Sequence, residues 1–203
     1  MKALMLTLFL SLFMCFSTLA SEISPELQYQ NAVEIWQASS STSSRLAIRM
    51  WKEIAIEHNH IPSMWALAMA YTQGTKVDRN VPEAMQWLIK LSDLGYPDAK
   101  ELLGDIYYYG RGVPQNYTMA AKWYEDYIIV EQDGDILMRY ATLLATGQGT
   151  TKDLIGAWKV AYIASKNDRY KISSYLISSM ILKQMSLFEQ FQIRFFINQQ
   201  QNN

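Results

Sequence analysis

The chain has 203 residues, of which 50% are hydrophobic, and its 18 basic and 19 acidic side chains leave a formal net charge of −1. This balance argues against a nucleic-acid partner and gives no electrostatic reason for attachment to an anionic membrane. The single cysteine, Cys15, lies in an N-terminal apolar stretch. We interpret it as a signal-core residue and expect no disulfide.

The first 20 residues are typical of a secretory signal peptide. Lys2 precedes an apolar stretch, Leu4–Phe16, and Thr18–Ala20 is a small-residue cleavage site before Ser21. No later segment is apolar enough to span a bilayer. We therefore expect residues 1–20 to be removed after secretion across the inner membrane, leaving a periplasmic protein with no stable membrane insertion.

From Pro25 onward the sequence repeats with a period of 36 residues, lengthened once to 37. The most visible markers are Trp51, Trp87 and Trp123. Three further sets recur in step, namely Gly74, Gly110 and Gly147; Tyr71, Tyr107 and Leu144; and Ala84, Ala120 and Ala157. Such a period is typical of a solenoid, whose units complete one another's cores. We predict three clear units and a degenerate first unit, Pro25–His58.

Each unit is predicted to be a helix, a glycine turn and a second, capped helix. Bulky and small residues alternate at helical spacing in the first helix, as in Leu67, Ala68 and Tyr71. The glycine then takes the left-handed conformation of a helix C-cap. The second helix is predicted to be capped by Ser44, Asn80, Asn116 and Asp153 in the four units. The predicted fold is all-α, a right-handed α-solenoid of helix-turn-helix repeats of about 36 residues over residues 21–166.

One unit carries a family resemblance. Its residues are Ala99, Leu103, Gly104, Tyr107, Gly110-Arg111-Gly112-Val113 and Ala120-Ala121-Lys122-Trp123-Tyr124. This pattern resembles the Sel-one-like repeat, a relative of the tetratricopeptide repeat. Two neighbouring units depart from it, with Lys76 in place of the second turn glycine and Val160 in place of the tryptophan. The resemblance implies a protein-interaction module in which the first helix of each unit lines a concave face.

Positions on the first helices that packing does not require are the candidate partner contacts. They are Trp65, Met69 and Gln73 in one unit, Glu101, Asp105, Tyr108 and Tyr109 in the next, and Met138, Arg139 and Thr142 in the third. Aromatic side chains offer rigid contact area of the kind found at binding hot spots. The alternative is that Trp65 and Tyr109 only complete the packing between units.

We expect an adaptor or scaffold that binds another protein or peptide. Bacterial proteins of this resemblance include flagellar-motor accessories, envelope-assembly factors and neutralisers of toxic effectors, and the sequence does not choose among them. A structural role through self-association is a further alternative. An enzyme acting on cell wall or β-lactams is disfavoured, because relatives with that activity are cysteine-rich and this chain is not.

The C-terminal part, residues 167–203, departs from the repeat and is predicted to form capping helices. Four phenylalanines, Phe188, Phe191, Phe195 and Phe196, lie there at helical spacing. We interpret them as a cap that covers the last unit. The alternative is an exposed stripe that binds a partner or a second copy. Asn198–Asn203 is polar and expected to fray.

Catalytic and metal chemistry find little support in the sequence. His58 and His60 lie at a predicted turn, and we expect solvated turn residues there, with a metal pair as the alternative. No nucleophile with its base can be assembled. Gly110-Arg111-Gly112 follows a helix and not a strand, so it is not a phosphate loop. We expect no cofactor, no metal and no enzymatic activity.

Overall fold

The computed structural model describes residues 24–38 and 40–201. The predicted signal peptide, residues 1–20, lies outside them. The described residues form ten α-helices, which are α1 (Pro25–Gln37), α2 (Ser41–His58), α3 (Ile61–Gln73), α4 (Val81–Asp93), α5 (Pro97–Tyr109), α6 (Tyr117–Ile128), α7 (Gly134–Thr146), α8 (Leu154–Ala164), α9 (Lys171–Leu182) and α10 (Leu187–Gln201). A short 3-10 turn, Asp168–Tyr170, precedes α9, and these residues include no strand. The predicted all-α helical-repeat fold is confirmed.

The chain divides into two compact units, one ending at Asn80 and one beginning at Val81. In unit 1, α1 packs along α2 and α2 packs along α3. In unit 2, each helix from α4 to α8 packs against the next one in the chain, and α10 packs against α8. Within residues 24–38 and 40–201, no helix has both the length and the hydropathy needed to cross a bilayer.

The glycine turns form as predicted. Gly74, Gly110 and Gly147 follow α3, α5 and α7 with φ of 65°, 65° and 72°, the left-handed conformation that glycine adopts without a Cβ penalty. The turn then closes by the same hydrogen bond in every clear unit. The donors are the backbone N–H groups of Asn80, Asn116 and Asp153, and the acceptors are the carbonyls of Tyr71, Tyr107 and Leu144. The sequence period therefore corresponds to a repeated backbone connection.

The predicted caps hold at two positions and fail at one. The Asn116 side chain accepts a hydrogen bond from the Met119 N–H at the start of α6, and the Asp153 side chain accepts from the Gly156 N–H at the start of α8. Asn80 directly precedes α4. The prediction for Ser44 was wrong, because α2 begins one turn earlier and Ser40 caps it by accepting from the Ser43 N–H.

Ser44 instead lies inside α2. Its side chain is buried, and its hydroxyl donates to the Ser40 carbonyl at 3.2 Å. Four serines and a threonine precede Ser44 without a break from Ser39. Several of these hydroxyls can serve as an N-cap, so the helix start is not fixed by residue type alone.

The repeat tryptophans and small residues lie in the cores. Trp51 and Trp87 are buried, Trp123 is partly buried, and Ala68, Gly104 and Ala141 are buried where helices approach closely. A Cβ added at Gly104 would overlap the buried ring of Tyr124. The α5–α6 contact therefore requires glycine at this position.

The last helix has one packed face and one exposed face. Ile193 is buried, and the Phe196 ring meets those of Trp158 and Tyr162 edge-on, with centroid distances of 6.5 and 6.0 Å. Phe188, Phe191 and Phe195 are exposed. The helix continues to Gln201, into the segment for which the sequence predicted fraying.

Candidate protein-interaction surface

A carboxylate at the third turn of α5 joins three helices and a turn in unit 2. Asp105 Oδ1 accepts hydrogen bonds from the Tyr124 hydroxyl at 2.8 Å and from Arg139 Nη1 at 3.0 Å. Arg111 Nη1, from the glycine turn, lies 3.9 Å from Asp105 Oδ2. The Asp105 side chain is 15% exposed. Charge-assisted hydrogen bonds at such a shielded site hold both partners in place.

An exposed tyrosine lies beside these charges. The Arg111 guanidinium is 4.4 Å and the Arg139 guanidinium 5.6 Å from the centroid of the Tyr109 ring. Cations at these distances are attracted to the face of an aromatic ring. Tyr109 is 45% exposed. We call this group, Asp105, Tyr108, Tyr109, Arg111, Tyr124 and Arg139, the Asp105 cluster.

Tyr108 supports the cluster from inside. Its ring lies 4.9 Å from that of Tyr109, 5.4 Å from that of Tyr117 and 5.9 Å from that of Tyr124, in edge or tilted geometry. Such arrangements are favourable between aromatic rings. Burial raises the pKa of the Tyr108 hydroxyl above its ordinary value of 10. Tyr108 positions Tyr109 and contributes less exposed surface than Tyr109 does.

Local sequence explains how α5 presents these residues. Asp105, Tyr108 and Tyr109 are three and four residues apart, which places them on one helix face. Gly104 lets the Tyr124 ring approach α5 closely enough for its hydroxyl to reach Asp105. Gly110, with φ of 65°, ends the helix directly after Tyr109, and Arg111 follows in the turn. The repeat architecture thus supplies the geometry of the cluster.

Glu101 extends the surface toward an acidic edge. Burial raises the pKa of its carboxyl, and the neighbouring carboxylates of Asp105, Asp133 and Asp98 raise it further, against the opposing effect of Arg139. A carboxyl in such surroundings is less stable in its charged form than it is in water. The ionised form of Glu101, one turn before Asp105, is therefore electrostatically unfavourable.

The other candidate residues are divided between packing and surface. Met138 packs on the core of unit 2, and its sulfur accepts a hydrogen bond from the Ser174 hydroxyl of α9 at 3.3 Å. The Thr142 hydroxyl donates to the Met138 carbonyl within α7. In unit 1, Trp65 and Met69 are partly buried on α3 and Gln73 is exposed. The structure groups Asp105, Tyr108, Tyr109 and Arg139, and gives Met138 and Thr142 contacts within the fold.

The sequence alone did not single out Arg111 or Tyr124 as members of a site. Both residues belong to the family pattern, and Arg111 also lies in the Gly110-Arg111-Gly112 turn. The sequence did contain a signal for the contact between Arg111 and Tyr109. An arginine two residues after a tyrosine, across a glycine turn, can place its guanidinium over the tyrosine ring. Nothing in the repeat pattern pairs Tyr124 with Asp105, which lies 19 residues earlier.

The two histidines have separate surroundings in unit 1. His58 is the last residue of α2. His60 caps α3, where Nδ1 accepts from the Ser63 N–H, and its Nε2 lies 3.3 Å from a Glu26 carboxylate oxygen. The prediction of a solvated turn residue was wrong for His60, whose side chain is 13% exposed. Across the part of the chain that the structure describes, no three histidine, cysteine or carboxylate side chains are arranged to hold a metal ion.

Comparisons with known proteins identify the repeat. The Sel1 repeat family model matches residues 61–96 and 97–125. The chitin synthase regulator SKT5 of Saccharomyces cerevisiae is 27% identical over 97 residues, which are 45% of this chain and 14% of that protein. The aligned part thus spans a small fraction of this relative.

Solved structures show the same fold. A Sel1 repeat protein from Oxalobacter formigenes aligns with a TM-score of 0.54 and 20% identity, over 72% of this chain and 60% of that one. A protective antigen of uropathogenic Escherichia coli with an SLR fold gives a TM-score of 0.54 and 21% identity, over 72% of this chain and 35% of that one. Both alignments leave more than a third of the other chain uncovered. The chain therefore contains Sel1 repeats at residues 61–125 and shares the fold of solved Sel1 repeat proteins.

Proposed function

We propose that this protein is a periplasmic adaptor or scaffold that binds another protein through the Asp105 cluster. Sel1 repeats generally mediate protein–protein interaction, which supports the general class. The signal-peptide pattern of residues 1–20 supports secretion. The single observation that carries the placement of the binding surface is the exposed Tyr109 ring, which lies near the guanidinium groups of Arg111 and of Arg139, the latter fixed by Asp105.

The physical argument is one of preorganisation. Tyrosine and arginine are the residue types most enriched at binding hot spots, and a side chain that is already ordered loses less entropy when a partner binds. Arg139 is held by its hydrogen bond to Asp105, while Arg111 is 50% exposed and makes only a 3.9 Å contact to that carboxylate. Its donors are available to acceptor groups of a partner. The cluster therefore offers an exposed ring and an exposed fork of donors on a rigid support.

The test is site-specific photo-crosslinking in cells that make the full chain. A photoreactive phenylalanine analogue is placed at Tyr109 or, as a matched control, at Tyr96, which is 42% exposed and lies in the same unit before α5. We expect a discrete adduct from position 109 and none from position 96. Adding Arg111→Ala should reduce the adduct by about tenfold if the arginine contacts the partner. Equal adducts from both positions would contradict the proposed surface.

Secretion is tested separately. The full chain is expressed from its own first residue, and the product in the periplasmic fraction is analysed by intact mass. We expect the mass of a chain that begins at Ser21. A cytoplasmic product that retains residues 1–20 would contradict the proposed localisation without affecting the crosslinking result.

Self-association is a second candidate function, supported by the exposed face of α10. Phe188, Phe191 and Phe195 line a groove of about 470 Å³ against Ile155 and Lys159 of α8. Exposed apolar patches of this kind mark contact sites. Changing all three phenylalanines to serine should convert an oligomer to a folded monomer in sedimentation-velocity experiments. A wild-type chain that is already monomeric at high concentration would exclude this candidate.

A further inference from the structure

A second recess lies in unit 1 and shares no residue with the Asp105 cluster. It has a volume of about 580 Å³, within the usual range of small-ligand clefts. Residues of α2, the end of α3 and the loop after α3 line it. They are Ser41, Arg45, Ile48, Tyr71, Lys76, Val77, Asp78, Arg79 and Asn80.

The lining is locally basic in a chain that is nearly neutral overall. Arg45, Lys76 and Arg79 stand against a single carboxylate, that of Asp78. The Arg45 side chain is exposed, and no hydrogen bond or ion pair of residues 24–38 and 40–201 involves it. Three cations around one recess create a potential that favours an anionic ligand.

Two of these cations replace the residue types that other units carry. Lys76 stands at the second turn position, where later units have Gly112 and Gly149. Arg45 is in register with Val81 and Leu154, which are buried, and with Tyr117, which is partly buried. The repeat fold does not need a cation at either position. The departures from the pattern therefore converge on one recess and give it two of its three cations.

The loop that carries two of the cations is held in place before any ligand binds. Lys76 Nζ donates to the Trp36 carbonyl at 2.6 Å, and Arg79 Nε donates to the Thr72 carbonyl at 3.1 Å. The Arg79 bond uses only Nε, so the donors of its two terminal nitrogens remain for a ligand. A fixed guanidinium of this kind suits the two oxygens of a carboxylate.

We propose that this recess binds the carboxylate of an acidic peptide segment. Arg45 and Arg79 would pair with the carboxylate, while Ile48, Tyr71 and Val77 form an apolar wall for the neighbouring peptide side chain. The mixture of cations and apolar side chains favours a peptide over a bare inorganic anion, which has no apolar part to bury. This inference does not depend on the proposed role of the Asp105 cluster.

The experiment selects random hexapeptides that bind to the full chain, purified after export. The peptides are displayed in two formats, as internal segments and with free C-terminal ends. Four forms are compared, namely wild type, Arg45→Gln with Arg79→Gln, Arg45→Glu with Arg79→Glu, and Arg49→Gln as the control. Arg49 lies one turn after Arg45 on α2, is exposed and does not line the recess. Circular dichroism confirms that each form is folded.

We expect wild type and Arg49→Gln to enrich peptides in which aspartate or glutamate adjoins an apolar residue. The Gln pair should lose this enrichment, and the Glu pair should reverse it toward basic peptides, a gain that misfolding cannot produce. For one synthetic peptide of the enriched class, fluorescence anisotropy should show binding weakened at least about tenfold in the Gln pair and less than about twofold in Arg49→Gln.

The two display formats distinguish the source of the carboxylate. Enrichment only with free ends, abolished by amidating the synthetic peptide, would assign a chain terminus. Enrichment in internal positions would assign an aspartate or glutamate side chain. Three outcomes would overturn the proposal. They are no acidic enrichment in wild type, equal enrichment in the Gln pair, and competition by inorganic phosphate with no peptide preference.

Discussion

Asp105 has a structural role and also belongs to the proposed binding surface. Its carboxylate satisfies the hydroxyl of the buried Tyr124 and also fixes Arg139 beside the Tyr109 ring. Removing the carboxylate would leave a buried hydroxyl without this acceptor and a guanidinium without its anchor, which is costly in a shielded site. A change at Asp105 is therefore expected to alter stability and the proposed binding together. Tyr109 and Arg111, which are exposed, separate the two effects.

Glu101 provides a prediction at the level of one charge. Because its folded-state pKa is raised above the ordinary value of 4.5, its ionisation opposes folding, and the cost grows as pH rises through that pKa. Glu101→Gln should raise the free energy of unfolding at pH 7 by about 0.5 kcal/mol, a small figure because the side chain is partly solvated. Urea unfolding of both proteins at several pH values measures the difference.

The difference should vanish below pH 4, where Glu101 is protonated in both states. Glu53→Gln is the matched control, since Glu53 is exposed on α2 and lies outside the acidic group around Glu101. A stabilisation of the same size in this control would indicate a general charge effect. A loss of stability at pH 7 in Glu101→Gln would show that its attraction to Arg139 outweighs the repulsion.

At the level of helix pairs, the contact between α5 and α6 depends on a missing side chain. A methyl group at position 104 would overlap the Tyr124 ring, which is completely buried. Gly104→Ala should destabilise the protein by about 2 kcal/mol, since overpacking outweighs the gain in helix propensity. Chemical denaturation followed by circular dichroism measures the change.

A double-mutant cycle checks the cause. In a Tyr124→Leu background the ring that the new methyl group would strike is absent, so Gly104→Ala should cost less than it does in the wild type. Equal costs in the two backgrounds would mean that the methyl group acts elsewhere. The same cycle indicates how far the position of Tyr124, and with it Asp105, depends on close helix approach.

The last helix offers a comparison between two identical side chains. Phe196 packs on Trp158 and Tyr162, whereas Phe191 is 67% exposed. Phe196→Ala should cost about 2 kcal/mol of stability, and Phe191→Ala less than about 0.5 kcal/mol. Thermal unfolding of the two variants at low protein concentration tests this. Equal destabilisation would show that the α10 face assignments are incorrect.

For the whole molecule, the sequence predicted the local features that recur in each unit, namely the glycine turns and the helix caps. Glycine at a helix end and Asn116 or Asp153 at a helix start have local physical preferences, and a 36-residue period copies them along the chain. The contact between Asp105 and Arg139 joins residues 34 positions apart through long side chains. Their conformations depend on tertiary packing, so periodicity contains no information about this contact.

The C-terminal phenylalanines also show which features the sequence pattern predicts and which it does not. Their spacing correctly places them on one helix, and helical geometry puts Phe188, Phe191 and Phe195 on one side and Phe196 on another. The sequence does not say which side meets α8. The structure shows that Phe196, with Ile193, covers the unit, while Phe188, Phe191 and Phe195 are exposed, so one helix provides both a cap and an exposed stripe.

The alkaline stability of unit 2 reflects several buried tyrosines at once. Burial, followed by nearby carboxylates, raises the pKa of Tyr127 and of Tyr140 to about 12, and burial with the hydrogen bond to Asp105 raises that of Tyr124 further. In the unfolded chain these hydroxyls ionise near pH 10. The stabilisation from keeping them neutral is therefore fully present below pH 10 and is lost as pH rises toward and beyond 12.

We expect the free energy of unfolding to fall between pH 10 and pH 12 and the phenolate absorbance of the folded protein to lag behind that of the urea-unfolded chain. Tyr140→Phe should flatten the decline, because one buried group no longer ionises on unfolding. Tyr175→Phe is the control, since Tyr175 is 72% exposed on α9. A decline of equal slope in wild type and Tyr140→Phe would show that other groups, and not the buried phenols, limit the alkaline stability of this fold.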